Sequence, residues 1–146
     1  MSNPEFVLFS RMNENAVQPS KAYPRDAGWD LHTSATTTIA PHTRVDVPTG
    51  IEAALPYAFW GHILPRSSTL RKHGLQVVTA VIDSGYRGEM FVQVYNPTNE
   101  SVTVEAGTRL AQLILHRVEK IQWVECPPGE LPPGERGNSG FGSSGV

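Results

Sequence analysis

Short apolar runs rich in β-branched and aromatic residues follow one another along most of the chain, each ended within a few positions by Gly, Pro, Asn or Asp. Runs of this length and punctuation read as strands: residues 6–9, 43–47, 58–64, 74–82, 89–95, 101–104, 109–118 and 121–125. The turn signals "PTG" at 48–50, "NPTNE" at 96–100 and "EAG" at 105–107 recur at spacings suited to a sandwich, barrel or jelly roll. The chain is therefore expected to be all-β. The best helical candidate is "SSTLRKHG", a turn or two in which Ser67 or Ser68 caps the start and Gly74 ends the run.

With 146 residues, 39% hydrophobic and 18% charged, the chain suits one compact domain with a modest core. A formal net charge of −2 supplies no basic field for nucleic acid or an anionic membrane, so any bound anion must be held by local arginines. The single cysteine, Cys126, excludes an intrachain disulfide framework and a multi-cysteine metal site. No apolar run approaches the roughly 18 residues that span a bilayer. The opening "MSNPEFVLFSRMNEN" lacks a basic region followed by an apolar stretch, so the expectation is an intracellular, cytoplasmic soluble protein.

From Cys126 onward the composition changes to "CPPGELPPGERGNSGFGSSGV", with four prolines and six glycines in 21 residues. Such a segment cannot bury enough apolar surface to fold by itself. The chain accordingly divides into a β domain at 1–125 and a flexible arm at 126–146. Arg136 and Phe141 interrupt the Gly/Ser run of that arm. One cation and one aromatic ring among glycines suit closure over an anionic ligand that carries a flat ring.

Candidate chemistry lies in four more stretches. "VIDSGYRGEMFVQVYN" places Asp83 directly after an apolar pair, where a strand end can hold a carboxylate rigidly and still face a cleft. "DAGWDLHTSA" carries Asp30, which also suits a strand-initiating turn in which it caps backbone amides. "LPRSSTL" offers Arg66, Ser67 and Ser68, a guanidinium fork and two hydroxyls for phosphate oxygens. "GTRLAQLIL" has a core face, leaving Arg109 and Gln112 in need of partners. His32, His42, His62, His73 and His116 show no metal-ligand spacing and read as ordinary polar positions.

Taken in order, "AGWDL" (27–31), "PRSS" (65–68), "VIDSGYRGE" (81–89), "GTRLAQL" (107–113) and "RGNSGFGSSG" (136–145) resemble the five motifs of the trimeric dUTPases. The likeness spans Asp26 to Gly145. It implies a distorted jelly-roll or β-barrel subunit in a homotrimer, with active sites at subunit interfaces and the arm of one chain ordering over nucleotide. The implied reaction is hydrolysis of dUTP to dUMP and pyrophosphate, which limits uracil in DNA and supplies dUMP for dTTP synthesis. On the same likeness Asp83 activates a water for attack on the α-phosphorus, and Tyr86 packs under the deoxyribose, leaving no room for a 2′-hydroxyl. Val81, Ile82 and Phe91 are carried over as substrate-binding, and the hairpin from Gly88 to Phe91 reads the uracil edge with its backbone. Arg66, Ser67, Ser68 and Gln112 contact phosphates. Arg136 grips the γ-phosphate, Phe141 stacks on uracil, and Gly142 and Ser143 complete the arm's contacts. Mg2+ rides on the triphosphate, with Asp30 touching its shell through water; Arg109 pairs with a motif carboxylate.

Two departures stand out: "PRSS" replaces the commoner Pro-Arg-Ser-Gly, and "QVVTAVID" lacks the usual Gly before Val-Ile-Asp. "RSS" with "TAVIDSGY" also resembles the dCTP deaminases, which share the fold. Deamination needs a glutamate on the following strand, where this chain carries Gln93, a side chain that cannot exchange a proton. A trimeric relative that binds nucleotide without turnover is the non-enzyme alternative.

Overall fold

The computed structural model describes residues 5–142. It contains ten strands: β1 (Leu8–Arg11), β2 (Trp29–His32), β3 (Thr37–Ile39), β4 (Arg44–Ala54), β5 (Phe59–Pro65), β6 (Gln76–Val77), β7 (Ala80–Ile82), β8 (Glu89–Tyr95), β9 (Val102–Val104) and β10 (Arg109–Arg117). A single helix, α1 (Ser67–His73), follows β5. Two antiparallel four-stranded sheets, ordered β1-β4-β8-β6 and β2-β10-β5-β7, are accompanied by a β3-β9 ribbon. The all-β expectation holds, and two facing four-stranded sheets with non-sequential neighbours are the jelly-roll arrangement.

Period-two alternation explains the packing. Met90, Val92 and Val94 of β8 turn inward, as do Ile63 of β5 and Ala111 and Leu113 of β10, and all belong to one buried cluster. Gly61 is hemmed in by its neighbours within one sheet; a Cβ there would meet Leu113 of β10 at 3.0 Å and Ile82 of β7 at 3.2 Å.

The structure corrects four local expectations. Residues 74–82 do not form one strand, because the chain crosses from one sheet to the other: β6 pairs with β8, and β7 pairs with β5. Residues 121–125 form no strand although their composition suits one; Trp123 is 99% exposed, and among the described residues no neighbouring backbone ladder holds the segment. Residues 29–32 and 37–39, read as turn or left unassigned, are β2 and β3. The helix starts after Arg66, with no side-chain cap, so neither Ser67 nor Ser68 caps it. Gly74 does end it, left-handed at φ 68° with its N–H donating to the Leu70 carbonyl.

Candidate active site

β2, β10 and the end of β5 bring three of the motif residues together. Gln112 on β10 stands opposite Asp30 on β2 and Leu64 on β5. Its side-chain amide donates to the Pro65 carbonyl at 3.0 Å. Gly28 is packed so closely against it that a Cβ would lie 2.5 Å from Gln112 Oε1. Arg66 emerges one residue later, and its Nε meets Asp30 Oδ1 at 3.1 Å. Arg109 approaches the other carboxylate oxygen at 3.6 Å, so Arg109 does pair with a motif carboxylate. Beside them His32 is half-buried, and its Nδ1 finds no hydrogen-bond partner among the described residues. Burial holds its imidazole below the ordinary pKa, opposed by Asp30 and reinforced by Arg109 and Arg66.

α1 extends this cluster. The Thr69 hydroxyl is buried and donates to the Leu110 carbonyl at 2.7 Å, which locks the helix against β10. Ser68 and Lys72, and likewise Thr69 and His73, are four residues apart and share a helix face. Ser68, Thr69, Lys72 and His73 join Arg66, Thr108 and Arg109 around a pocket of about 110 Å3. Against the cations Arg66, Arg109 and Lys72 only Asp30 is in contact as an acid, which leaves the concavity attractive to an anion. Lys72, His73 and Thr108 were not singled out in the sequence; the i, i+4 spacing from the Arg-Ser-Ser motif is the signal that finds Lys72. Ser67 is exposed and is not among the pocket's lining residues.

The second group of site residues surrounds the turn between β7 and β8. Asp83 is exposed directly after β7, and its carbonyl accepts the Tyr86 N–H at 3.0 Å. Tyr86 Oη donates to the Glu89 carbonyl at 2.7 Å, and its ring lies over Gly88, where a Cβ would stand 2.5 Å from that oxygen. The Arg87 guanidinium donates to the carbonyls of Ser84 and Tyr86 at 2.7 and 3.0 Å. Side chains thus lock the turn, while the Asp83 carboxylate keeps no cation or donor among the described residues. Val81 and Phe91 are exposed and Ile82 is partly buried. The expected hairpin is corrected: β7 and β8 belong to different sheets, so residues 83–88 form an inter-sheet turn. Burial also pushes the Glu89 carboxyl upward in pKa.

Strand register keeps the two groups apart. Ile82 pairs with Gly61, which sets Asp83 level with Trp60, whereas Arg66 leaves the opposite end of β5. Six extended residues separate those levels, about 20 Å. Gln112 and Asp30 stand at the Leu64 level, about 13 Å along the sheet and further away sideways. The Asp83 turn and the guanidinium cluster are thus held at different levels of the sheet.

The arm supplies the third group. Residues 126–142 form neither strand nor helix, and all are exposed except Gly140. Gly137 N–H donates to Gly134 O, and Ser139 N–H to Arg136 O, each at 3.0 Å. Phe141 (φ 49°) and Gly142 (φ 88°) take left-handed backbone, and the Phe141 ring is fully exposed. Ser143 lies outside the described residues. A larger concavity, about 470 Å3, is elsewhere; Phe6, Phe9, Trp29, Phe59, Met90 and Leu113 line it, with no basic side chain for phosphate.

Fold and site together define an all-β, jelly-roll protein with a cationic pocket at one sheet end and a carboxylate turn at the other. The dUTPase family model matches residues 14–145. A deoxyuridine 5'-triphosphate nucleotidohydrolase of Thermobifida fusca is 42% identical over 142 residues, covering 95% of this chain and 78% of that protein. The Staphylococcus bacteriophage 80alpha dUTPase, solved with dUPNHPP, superposes with a TM-score of 0.88 over 97% of this chain and 99% of its own at 24% identity. The dUTPase of phage phi11 of S. aureus, in which a structural Mg(II) ion is coordinated, gives 0.77 over 86% and 99% at 20% identity. The chain belongs to the dUTPase family.

Proposed function

We propose that this protein hydrolyses dUTP to dUMP and pyrophosphate as a homotrimer whose active sites are divided between chains. The observation that carries the division is the strand register. Asp83 and the Arg66–Asp30–Gln112 cluster sit at opposite ends of one sheet, so a substrate that needs both must lie between copies. In this reading one chain contributes Asp83, Tyr86, Val81, Ile82 and Phe91, and a second contributes Arg66, Ser67, Ser68 and Gln112. An arm then closes with Arg136 on the γ-phosphate, Phe141 on the base, and Gly142 and Ser143 at the phosphates.

Each role has a physical basis. Asp83, free of a local cation, accepts the proton of a water aimed at the α-phosphorus. Tyr86 is braced by its bond to the Glu89 carbonyl, so its ring is a rigid floor for a sugar lacking a 2′-hydroxyl. Backbone groups between Gly88 and Phe91 read the pyrimidine edge. The guanidinium cluster neutralises the pyrophosphate that leaves. Asp30 holds Arg66 and Arg109 in place, one guanidinium at each carboxylate oxygen, and keeps further lone pairs for the expected contact with a metal shell through water. The described residues contain no set of three side chains fit to hold a metal ion. Mg2+ rides on the substrate in this reading, held mainly by triphosphate oxygens. Among the described residues no helix is long and apolar enough to cross a membrane, and the proposed place of action is the cytoplasm.

Mixed trimers test the division. Asp83→Asn and Arg66→Ala homotrimers are each expected to release little pyrophosphate from dUTP. Mixed equally by co-refolding, they regenerate intact sites in roughly a quarter of positions, because one chain's Asp83 then meets the other's Arg66. No recovery in verified mixed trimers would put both residues in one chain's site and overturn the reading. Ammonia release from dCTP would instead favour deamination.

A further inference from the structure

The histidines lack metal-ligand spacing in the sequence, yet β5 and β10 bring two of them together. His62 stands opposite Ile114 and His116 opposite Trp60, so the two imidazoles are diagonal neighbours across the ladder. Gly61, Ile63 and Leu113 alternate with them into the core, which puts both histidines on the outer face of the sheet. Their ring centres are 5.5 Å apart with planes 47° apart. Trp60 stacks on His116 at 4.6 Å and lies 5.2 Å from His62, which restricts both rings. Neither imidazole has a hydrogen-bond or ion-pair partner among the described residues. His42, by contrast, is engaged by Asn99 at 2.8 Å.

We propose that His62 and His116 form a two-imidazole site for a borderline divalent transition metal of the zinc, nickel and copper class. The spacing fits. A metal–nitrogen bond of about 2.0–2.1 Å, with about 1.2 Å more to the ring centre, sets two ligating imidazoles about 5.3 Å apart at the tetrahedral angle. Neighbouring strands in continuous register hold the backbone positions, so little ordering remains to be supplied on binding. With only two protein ligands, water fills the other positions, and affinity follows the order in which copper exceeds nickel and zinc. This chemistry differs from the magnesium carried by a triphosphate, which prefers oxygen ligands. The site does not depend on the hydrolase reading.

The test is calorimetric titration of the full-length, untagged, chelator-stripped protein in its native assembly with Cu2+, Ni2+ and Zn2+ in separate runs. Tryptophan emission is followed in parallel, because bound copper quenches a ring as close as Trp60. The expected result is one metal per chain, tightest for copper. His62→Ala and His116→Ala should each weaken binding on the order of tenfold or more, while His42→Ala leaves it unchanged. His62→Gln and His116→Gln, checked by thermal unfolding, repeat the loss with size retained. Absence of saturable binding to the unaltered protein, or undiminished binding in the folded Gln variants, overturns the proposal. Turnover of dUTP with magnesium, measured on the same samples, reports separately on the hydrolase reading.

Discussion

At the residue scale, the site depends on a few side chains whose surroundings differ sharply. Asp83→Asn keeps shape and hydrogen-bonding capacity but cannot take a proton; kcat for pyrophosphate release should fall by about 10²–10⁴ while equilibrium binding of dUTP persists. Near-normal turnover would remove Asp83 from the role of base. Lys72 is a different kind of participant, because it borders the cationic pocket without touching Asp30. Lys72→Ala should raise KM for dUTP several-fold, about 1 kcal/mol for a charge-assisted contact, with kcat little changed. His32 links the cluster to pH. Its folded-state pKa lies below the ordinary 6.5, so the unfolded chain takes up the proton first. The stability it contributes is complete above that value and declines as pH falls through it. His32→Phe, which also removes the unpartnered Nδ1, should flatten the dependence of Tm on pH below 6.5. Asp30, Arg66, Asp83 and Gln112 were all legible as candidates from residue type and motif. Lys72 and the orphaned ring of His32 were not, because packing alone decides what lies beside a pocket.

At the element scale, alternation and turn residues located β5, β8 and β10 and the core of β4, and Gly74 marked the helix end correctly. Pairing partners were beyond reach of those signals. The run at 74–82 reads as continuous because both halves are apolar, yet Val77 joins β8 and Ala80 joins β5 in the other sheet. Residues 121–125 show the converse, a strand-like composition without a ladder. α1 is short, and helices of this length need tertiary anchoring. Thr69→Val replaces the buried hydroxyl bonded to Leu110 with a methyl of similar size and should cost about 1–2 kcal/mol by chemical denaturation. A parallel rise in KM would show that the helix positions the cationic pocket.

At the scale of the whole molecule, two facing sheets hold the Asp83 turn and the guanidinium cluster at opposite ends of β5, and the arm stands outside both. Ending the chain at Glu125 removes Arg136 and Phe141 while sacrificing no buried residue among 126–142. The truncated protein should unfold at nearly the same temperature, yet hydrolyse dUTP poorly; a large loss of Tm would show that the arm is structural. By itself the sequence determined the all-β class, the change of composition at Cys126 and the identities of the motif residues. These follow from side-chain period, turn chemistry and local residue order, all of which are written along one dimension. Only the tertiary structure decided that Asp30 serves two arginines, that Asp83 and the guanidinium cluster sit at opposite ends of β5, and that His62 meets His116. Each depends on which strand pairs with which and in what register, and a one-residue slip would turn every one of these side chains to the opposite face.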